Sequence, residues 1–299
     1  MRRSGFTTTK KPRRSRPSDD LPTRRQFVDP FPPTFSLRGV NVPGTAFGHF
    51  QQDIGRARAI VAHADPLPHC TAAEQFLRGD LWRSAWMFGV GALGAYFCDA
   101  DTDIVAATII AKSRHAALVL PEFFHDIRFP VRAILEPYAN NINWRWRMAA
   151  RRMMERETVL SLATVQTLFN KFFRNGQRFF RDVLPAWVVH PDSRRRVFGI
   201  TAARFNALPA NLRGQAVADA QGRLEERFRE IFQRRHDCIH NCDRPRVKPQ
   251  PLTSADVVLR VLEDIEFLVR RCEEHVNLEF RQFLLGTGCP AAIVGQVGY

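Results

Sequence analysis

Lysine is nearly missing from a chain that is nonetheless strongly basic. Of 44 Lys and Arg residues only Lys10, Lys11, Lys112, Lys171 and Lys248 are lysine, and with 30 Asp and Glu the net charge is +14. The charge is therefore carried by guanidinium forks, which grip phosphate oxygens bidentately, and an excess of this size points to a polyanionic partner, nucleic acid first. Charged surfaces also serve solubility, so the balance supports nucleic acid without naming it. Long apolar runs are scarce as well. The longest uncharged one, residues 85–98, falls short of the roughly 20 residues a membrane span needs, and it stops at Asp99, Asp101 and Asp103. The opening Met1-Arg2-Arg3-Ser4-Gly5 leads into no apolar segment of the signal-peptide kind, so a cytoplasmic location with no membrane association is expected. Cys70, Cys98, Cys238, Cys242, Cys272 and Cys289 are scattered rather than framed as a disulfide scaffold, and reduced thiols are the expectation. Alternating strand patterns, internal repeats and glycine-rich phosphate loops are absent from the sequence. Half-buried sheets and the phosphate-loop enzymes lose their usual signatures with them.

What is present divides into three stretches. Residues 1–45 crowd Arg2, Arg3, Arg13, Arg14, Arg16, Arg24 and Arg25 ahead of Pro30, Pro32 and Pro33. That composition reads as a disordered basic arm with an extended connector, either attracting phosphate or aiding solubility. Residues 46–285 read as an all-α helical domain, and residues 286–299 as a C-terminal tail. Thr71 and Glu74 have capping-box spacing, and Leu77, Leu81, Ala85, Phe88, Ala92 and Tyr96 follow as one helical stripe. Gly89, Gly91 and Gly94 within it suggest close approach of another helix. A second helix is expected over residues 103–117, an amphipathic one with a basic face over 143–156, and another over 161–173. Prolines break up residues 179–209, where Arg194, Arg195 and Arg196 read as a solvated face. Leu224, Phe228, Ile231, Arg235 and Ile239 regain helical spacing. After the proline-rich 245–251 stretch, residues 253–256 can cap a final helix whose Val258, Val261, Ile265, Leu268, Cys272 and Val276 share one face, with Gly286 and Gly288 at its end.

One segment concentrates reactive groups: Arg234-Arg235-His236-Asp237-Cys238-Ile239-His240-Asn241-Cys242, placed between the end of the 224–232 helix and the Asp243-Arg244-Pro245 turn. Arg235 is permanently charged and can hold a phosphate oxygen; the His240 imidazole can exchange a proton with a ribose hydroxyl or a leaving oxygen. Together they form a minimal kit for cutting RNA without metal, because the 2′-hydroxyl is itself the nucleophile. His236 is expected to position these groups or the substrate. Arg234, Asn241, Arg244, Arg246 and Lys248 are candidate RNA contacts. Two competing readings are capping of a helix end and a zinc site. For zinc, His236 and His240 are four apart, as are Cys238 and Cys242, yet the pairs are offset by about 200° on a helix and cannot share one ion. No metal or other cofactor is therefore expected.

Arg235-His236 followed by His240 resembles the R-x4–6-H signature of the HEPN superfamily, whose common form has a polar residue directly after the arginine. Residues 81–96, opening Leu81-Trp82-Arg83-Ser84-Ala85 and closing Ala92-Leu93-Gly94-Ala95-Tyr96, resemble the first helix of its RiboL-PSP-HEPN branch. Gly94 stands where that branch often has aspartate, which leaves the orientation of the arginine to another residue. The resemblance spans about residues 70–285 and is carried by the two ends of that range. It implies an all-helical bundle with inserted helices, a homodimer whose two motifs meet in one cleft, and metal-independent endoribonuclease activity. It further implies a bacterial toxin–antitoxin or phage-defence setting, with an antitoxin or defence-system partner protein. Some members of the family only bind RNA or dimerise. A DNA-binding regulator is a third possibility, for which the sequence offers charge but no helix-turn-helix signal.

Overall fold

The computed structural model describes residues 45–128, 142–154, 159–172, 178–241 and 254–297, and the basic arm lies outside them apart from its final residue. These residues fold as an all-α bundle with no strand among them. Four long helices set the frame: α1 (Thr45–Ala64), α2 (Ala72–Arg114), and two that are introduced below with the shorter pieces. The capping box expected at Thr71 is formed. Its hydroxyl accepts the Glu74 amide, the Glu74 carboxylate accepts the Thr71 amide, and those bonds hold the Glu74 carboxyl below its ordinary pKa.

The break expected after Asp99 does not occur, and α2 runs unbroken for 43 residues. Its acidic stretch is neutralised from outside rather than solvated. Lys171 reaches Asp101 at 2.8 Å, Arg147 reaches Asp103 at 3.1 Å, and His49 lies 3.5 Å from Asp99. Paired carboxylates no longer demand water, so the helix continues through them. The buried face also differs from the expected stripe. Ala85, Ala92 and Tyr96 are buried, but Leu77 and Phe88 are 55% and 45% exposed. Trp82, Trp86, Leu93, Phe97, Ala100 and Ile104 fill the core instead, because α2 is packed on several sides. Of the three glycines only Gly89 marks a close approach. A Cβ there would lie 2.4 Å from Leu262 Cδ2, whereas Gly91 faces open space and Gly94 makes an ordinary contact with the Val159 carbonyl.

Shorter helices follow: α3 (Glu122–His125), α4 (Ile142–Met154), α5 (Leu162–Asn170), α6 (Leu184–Val188), α7 (Arg195–Phe198) and α8 (Ala202–Asn206). The long pair is α9 (Ala210–Asn241) and α10 (Ala255–Gly286), with the turn α11 (Ala291–Val294) after it. Every residue named for the face of α10 is buried, and that face packs on α1 and α2. Its expected cap is simpler than the sequence suggests: Ser254 is the N-cap but its side chain accepts no amide, and Thr253 lies outside the described residues. Past Gly286 the chain packs back, with Cys289, Val294 and Val297 buried and the Val119 amide donating to the Thr287 carbonyl.

Phenylalanine dominates this interior. A chain of ring contacts runs from Phe50 through Tyr96, Phe97, Phe169 and Phe179 to Trp187, with centroids 5.1 to 6.1 Å apart. Edge-to-face and tilted rings at such distances pack densely, and the phenylalanines leave no polar group to satisfy. Tyr96 does carry one, and its hydroxyl donates to Glu273 at 2.8 Å, tying α2 to α10. Among the described residues no helix is long and apolar enough to cross a membrane.

Candidate functional site

The helix does not end before the reactive segment. No glycine or proline intervenes after Gly222, the Gln233 amide donates to Asp237 at 3.0 Å, and α9 carries the segment through Asn241. Arg235, His236 and His240 therefore sit on the last turns of one continuous helix. Asn241 is helical in backbone, while Arg244, Arg246, Lys248 and Cys242 lie outside the described residues.

Two fixings hold α9 just ahead of those turns. The first is a buried carboxylate. Asp264 of α10 is fully buried and receives Arg227 from α9 at 2.9 Å and Arg196 from α7 at 2.7 Å, one arginine on each oxygen. Burial raises the Asp264 pKa, and the two guanidiniums pull it back. Arg196 also meets Glu263 at 2.7 Å, so it is an anchor rather than part of a solvated face; Arg194 and Arg195 beside it are exposed. The second fixing is Trp86. Its indole N–H donates to the Ile231 carbonyl at 3.1 Å in the interior. That carbonyl lies one helical turn before Arg235, where it also serves the Arg235 amide in α-helical geometry. Gly94, without a carboxylate to offer, does not supply this hold; it faces Val159. The sequence carried no local signal for this bond, since Trp82, equally buried one turn earlier on α2, has no partner for its own indole N–H among the described residues.

The candidate side chains fall on two faces. Leu224, Phe228 and Ile231 are completely buried, and Arg235 continues their stripe at the rim of the core, half-buried. Among the described residues Arg235 has no hydrogen-bond or ion-pair partner for its guanidinium. Glu225, Arg229, Gln233, His236 and His240 form a second stripe, with spacings of four, four, three and four. His236 and His240 are exposed and their rings touch, with centroids 4.4 Å apart. Five residues of helix separate Arg235 from His240 by about 140° around the axis and about 7.5 Å along it. One chain thus brings the two histidines together but turns the arginine away from His240. Arg234, half-buried just before Arg235, is engaged within the fold.

The histidine face borders a cleft of about 440 Å³ between α9 and the start of α5, lined by Arg229, Gln233 and His236 on one side and by Leu160, Ala163 and Phe180 on the other. Nothing in the sequence pointed to this cleft, because its far wall comes from residues 160–166 and Phe180, distant from α9 along the chain. No group of three or more His, Cys, Asp or Glu able to hold a metal ion gathers among the described residues. Along the helix Cys238 is turned about 200° from His236.

Comparison of the chain with protein-family models, with curated proteins and with solved structures finds no match in any of the three. The fold and the site are thus read on their own chemistry.

Proposed function

We propose that this protein is a metal-independent endoribonuclease that acts as a homodimer. The observation that carries the reading is Arg235: a half-buried residue whose guanidinium has no partner among the described residues, on a turn fixed by Trp86 and on the same last turns of α9 as an exposed histidine pair. A guanidinium that no carboxylate of the described fold occupies is available to an outside anion. Phosphate is the anion that the fork fits best.

In this mechanism His240 removes the proton of the ribose 2′-hydroxyl. The 2′-oxygen forms a bond to phosphorus, the bond from phosphorus to the 5′-oxygen breaks, and the leaving oxygen takes up a proton. Arg235 holds the phosphorane charge. The products are a 2′,3′-cyclic phosphate and a 5′-hydroxyl. The divergence of Arg235 and His240 around one helix is the reason for two copies, since a second α9 laid across the first can bring its Arg235 to the His240 of its neighbour. Ile239, 46% exposed, extends the apolar stripe beyond the core, as such an interface requires. The HEPN-like resemblance supports a toxin or phage-defence setting with an antitoxin-like or defence partner protein. The same divergence favours a second reading, a non-catalytic RNA-binding and dimerisation module, if two copies associate without bringing Arg235 of one to His240 of the other.

The test is cleavage of single-stranded RNA in EDTA, with end-group analysis. Cutting that survives chelation and leaves cyclic phosphate ends supports the mechanism. Cutting that vanishes on chelation and returns with magnesium overturns it.

A further inference from the structure

The cleft beside His236 has a built wall. Phe180 is 2% exposed and holds a left-handed backbone, φ 71°, the one non-glycine residue with positive φ among those described. A buried aromatic residue held in that region costs roughly 1–3 kcal/mol and persists only where its surroundings over-determine it. They do. The Phe179 amide donates to Asn170 Oδ1 at 2.8 Å, its carbonyl accepts from Gln166 at 3.0 Å, and the Arg178 amide donates to Asp182 at 2.6 Å. The wall is thereby rigid before any ligand arrives.

Opposite it runs the polar stripe of α9. Arg229 is exposed and has no ion pair among the described residues, although Arg223 and Arg227 on the same helix are each paired to an acid. Phe232, 6% exposed, and Phe180 make an apolar floor, with Leu160 as a 36% exposed lip. Glu225 closes the far end, and His236 closes the near end against the His240 ring. An apolar slot within the ordinary size range of ligand sites, with a cation along it and a carboxylate at one end, has the polarity of a nucleotide. The phosphate belongs at the His236 end, away from the Glu225 charge, with Arg229 between the two. The base lies on the apolar floor with its amino group turned to Glu225.

Resting on the nuclease reading, we infer that this cleft is a specificity subsite holding the RNA nucleotide next to the scissile phosphate. Its carboxylate selects bases that carry an amino group, guanine, cytosine and adenine, over uracil.

The experiment titrates full-length protein with fluorescent 2′-O-methyl oligonucleotides, whose blocked 2′-oxygen prevents cutting, and separately maps cleavage sites on one long unmodified RNA. Ala163→Phe fills the cleft from an exposed helical position without changing charge; Arg229→Glu reverses its cation. Both variants are expected to bind about tenfold more weakly, the loss of roughly one base contact, and to spread cleavage onto sites flanked by uracil. Wild-type protein is expected to bind oligo-uridine derivatives least. Variants that bind and cut as wild type does overturn the subsite while leaving the nuclease intact. Wild-type protein that binds but never cuts, with binding lost in Ala163→Phe, upholds the cleft and sinks the nuclease. If wild-type protein neither binds nor cuts, both readings fail.

Discussion

Along α9, residues 224–232 bury Leu224, Phe228 and Ile231 completely and pin Arg227 to the buried Asp264, whereas residues 233–240 leave His236, Ile239 and His240 exposed and Arg235 unpaired among the described residues. The helix is continuous across the boundary, so the two stretches differ in surroundings and not in backbone. The first stretch commits Arg227 to the fold. The second leaves Arg235 and the two histidines outside it, while Arg234 stays engaged. A rigid helix carrying uncommitted cations and histidines at its free end is what a positioned reactive group requires, since side chains on regular elements are held more closely than side chains on loops.

If the contrast is real, damage to the anchored half should appear as lost stability. Asp264→Ala strips the shared carboxylate from Arg196 and Arg227, which are only 30% and 21% exposed. A loss of about 3 kcal/mol in urea unfolding is expected, the range for breaking a buried pair from one side. RNA cleavage well below the melting temperature should survive. A variant that melts normally but no longer cuts would reverse the division of labour.

Trp86 sits on the boundary, and its replacement sharpens the comparison. Trp86→Phe keeps a ring but removes the N–H that donates to the Ile231 carbonyl. The expected cost in stability is about 1 kcal/mol. If the bond also fixes the turn that carries Arg235, kcat should fall at temperatures where the variant is fully folded, with KM little changed. An unaltered kcat would confine Trp86 to packing.

The smallest effect contrasts two kinds of histidine. His275 of α10 is half-buried and stacked on Trp187 at 5.8 Å, and burial lowers its pKa, with Arg271 adding to the shift and Glu274 opposing it. The unfolded chain then binds more protons at that site than the folded one between the two pKa values. Stability is therefore full above the ordinary histidine pKa and declines as pH falls through about 6.5 toward the lowered folded value. Urea midpoints followed from neutral pH to about pH 5 should decline less in His275→Gln than in wild type. Parallel curves for the two proteins would remove His275 from the account.

How much of this was legible in the sequence depends on whether the cause was local. The face of α10 and the Thr71 capping box were legible because periodicity and cap chemistry act within one helix. The length of α2 was not. Asp99, Asp101 and Asp103 read as a helix boundary until Lys171, Arg147 and His49 arrive from distant segments. Arg196 was misread for the same reason, its carboxylates lying 67 and 68 residues away in sequence. At the site, Arg235, His236 and His240 were legible as chemistry. Their division between two faces, the Trp86 hold and the Phe180 wall required the helix to run on through Asn241 and Leu160, Ala163 and Phe180 to pack beside it.

The central claim is that Arg235 and His240 are withheld from the fold for chemistry. Its most direct measurement sets the RNA cleavage rate against melting temperature for Arg235→Ala and His240→Ala. Each variant should melt as wild type does and cut roughly 10²–10⁴-fold more slowly, the usual effect of losing a proton carrier or a charge-stabilising donor. Variants that cut at the wild-type rate, or that lose activity only in proportion to unfolding, would contradict the account.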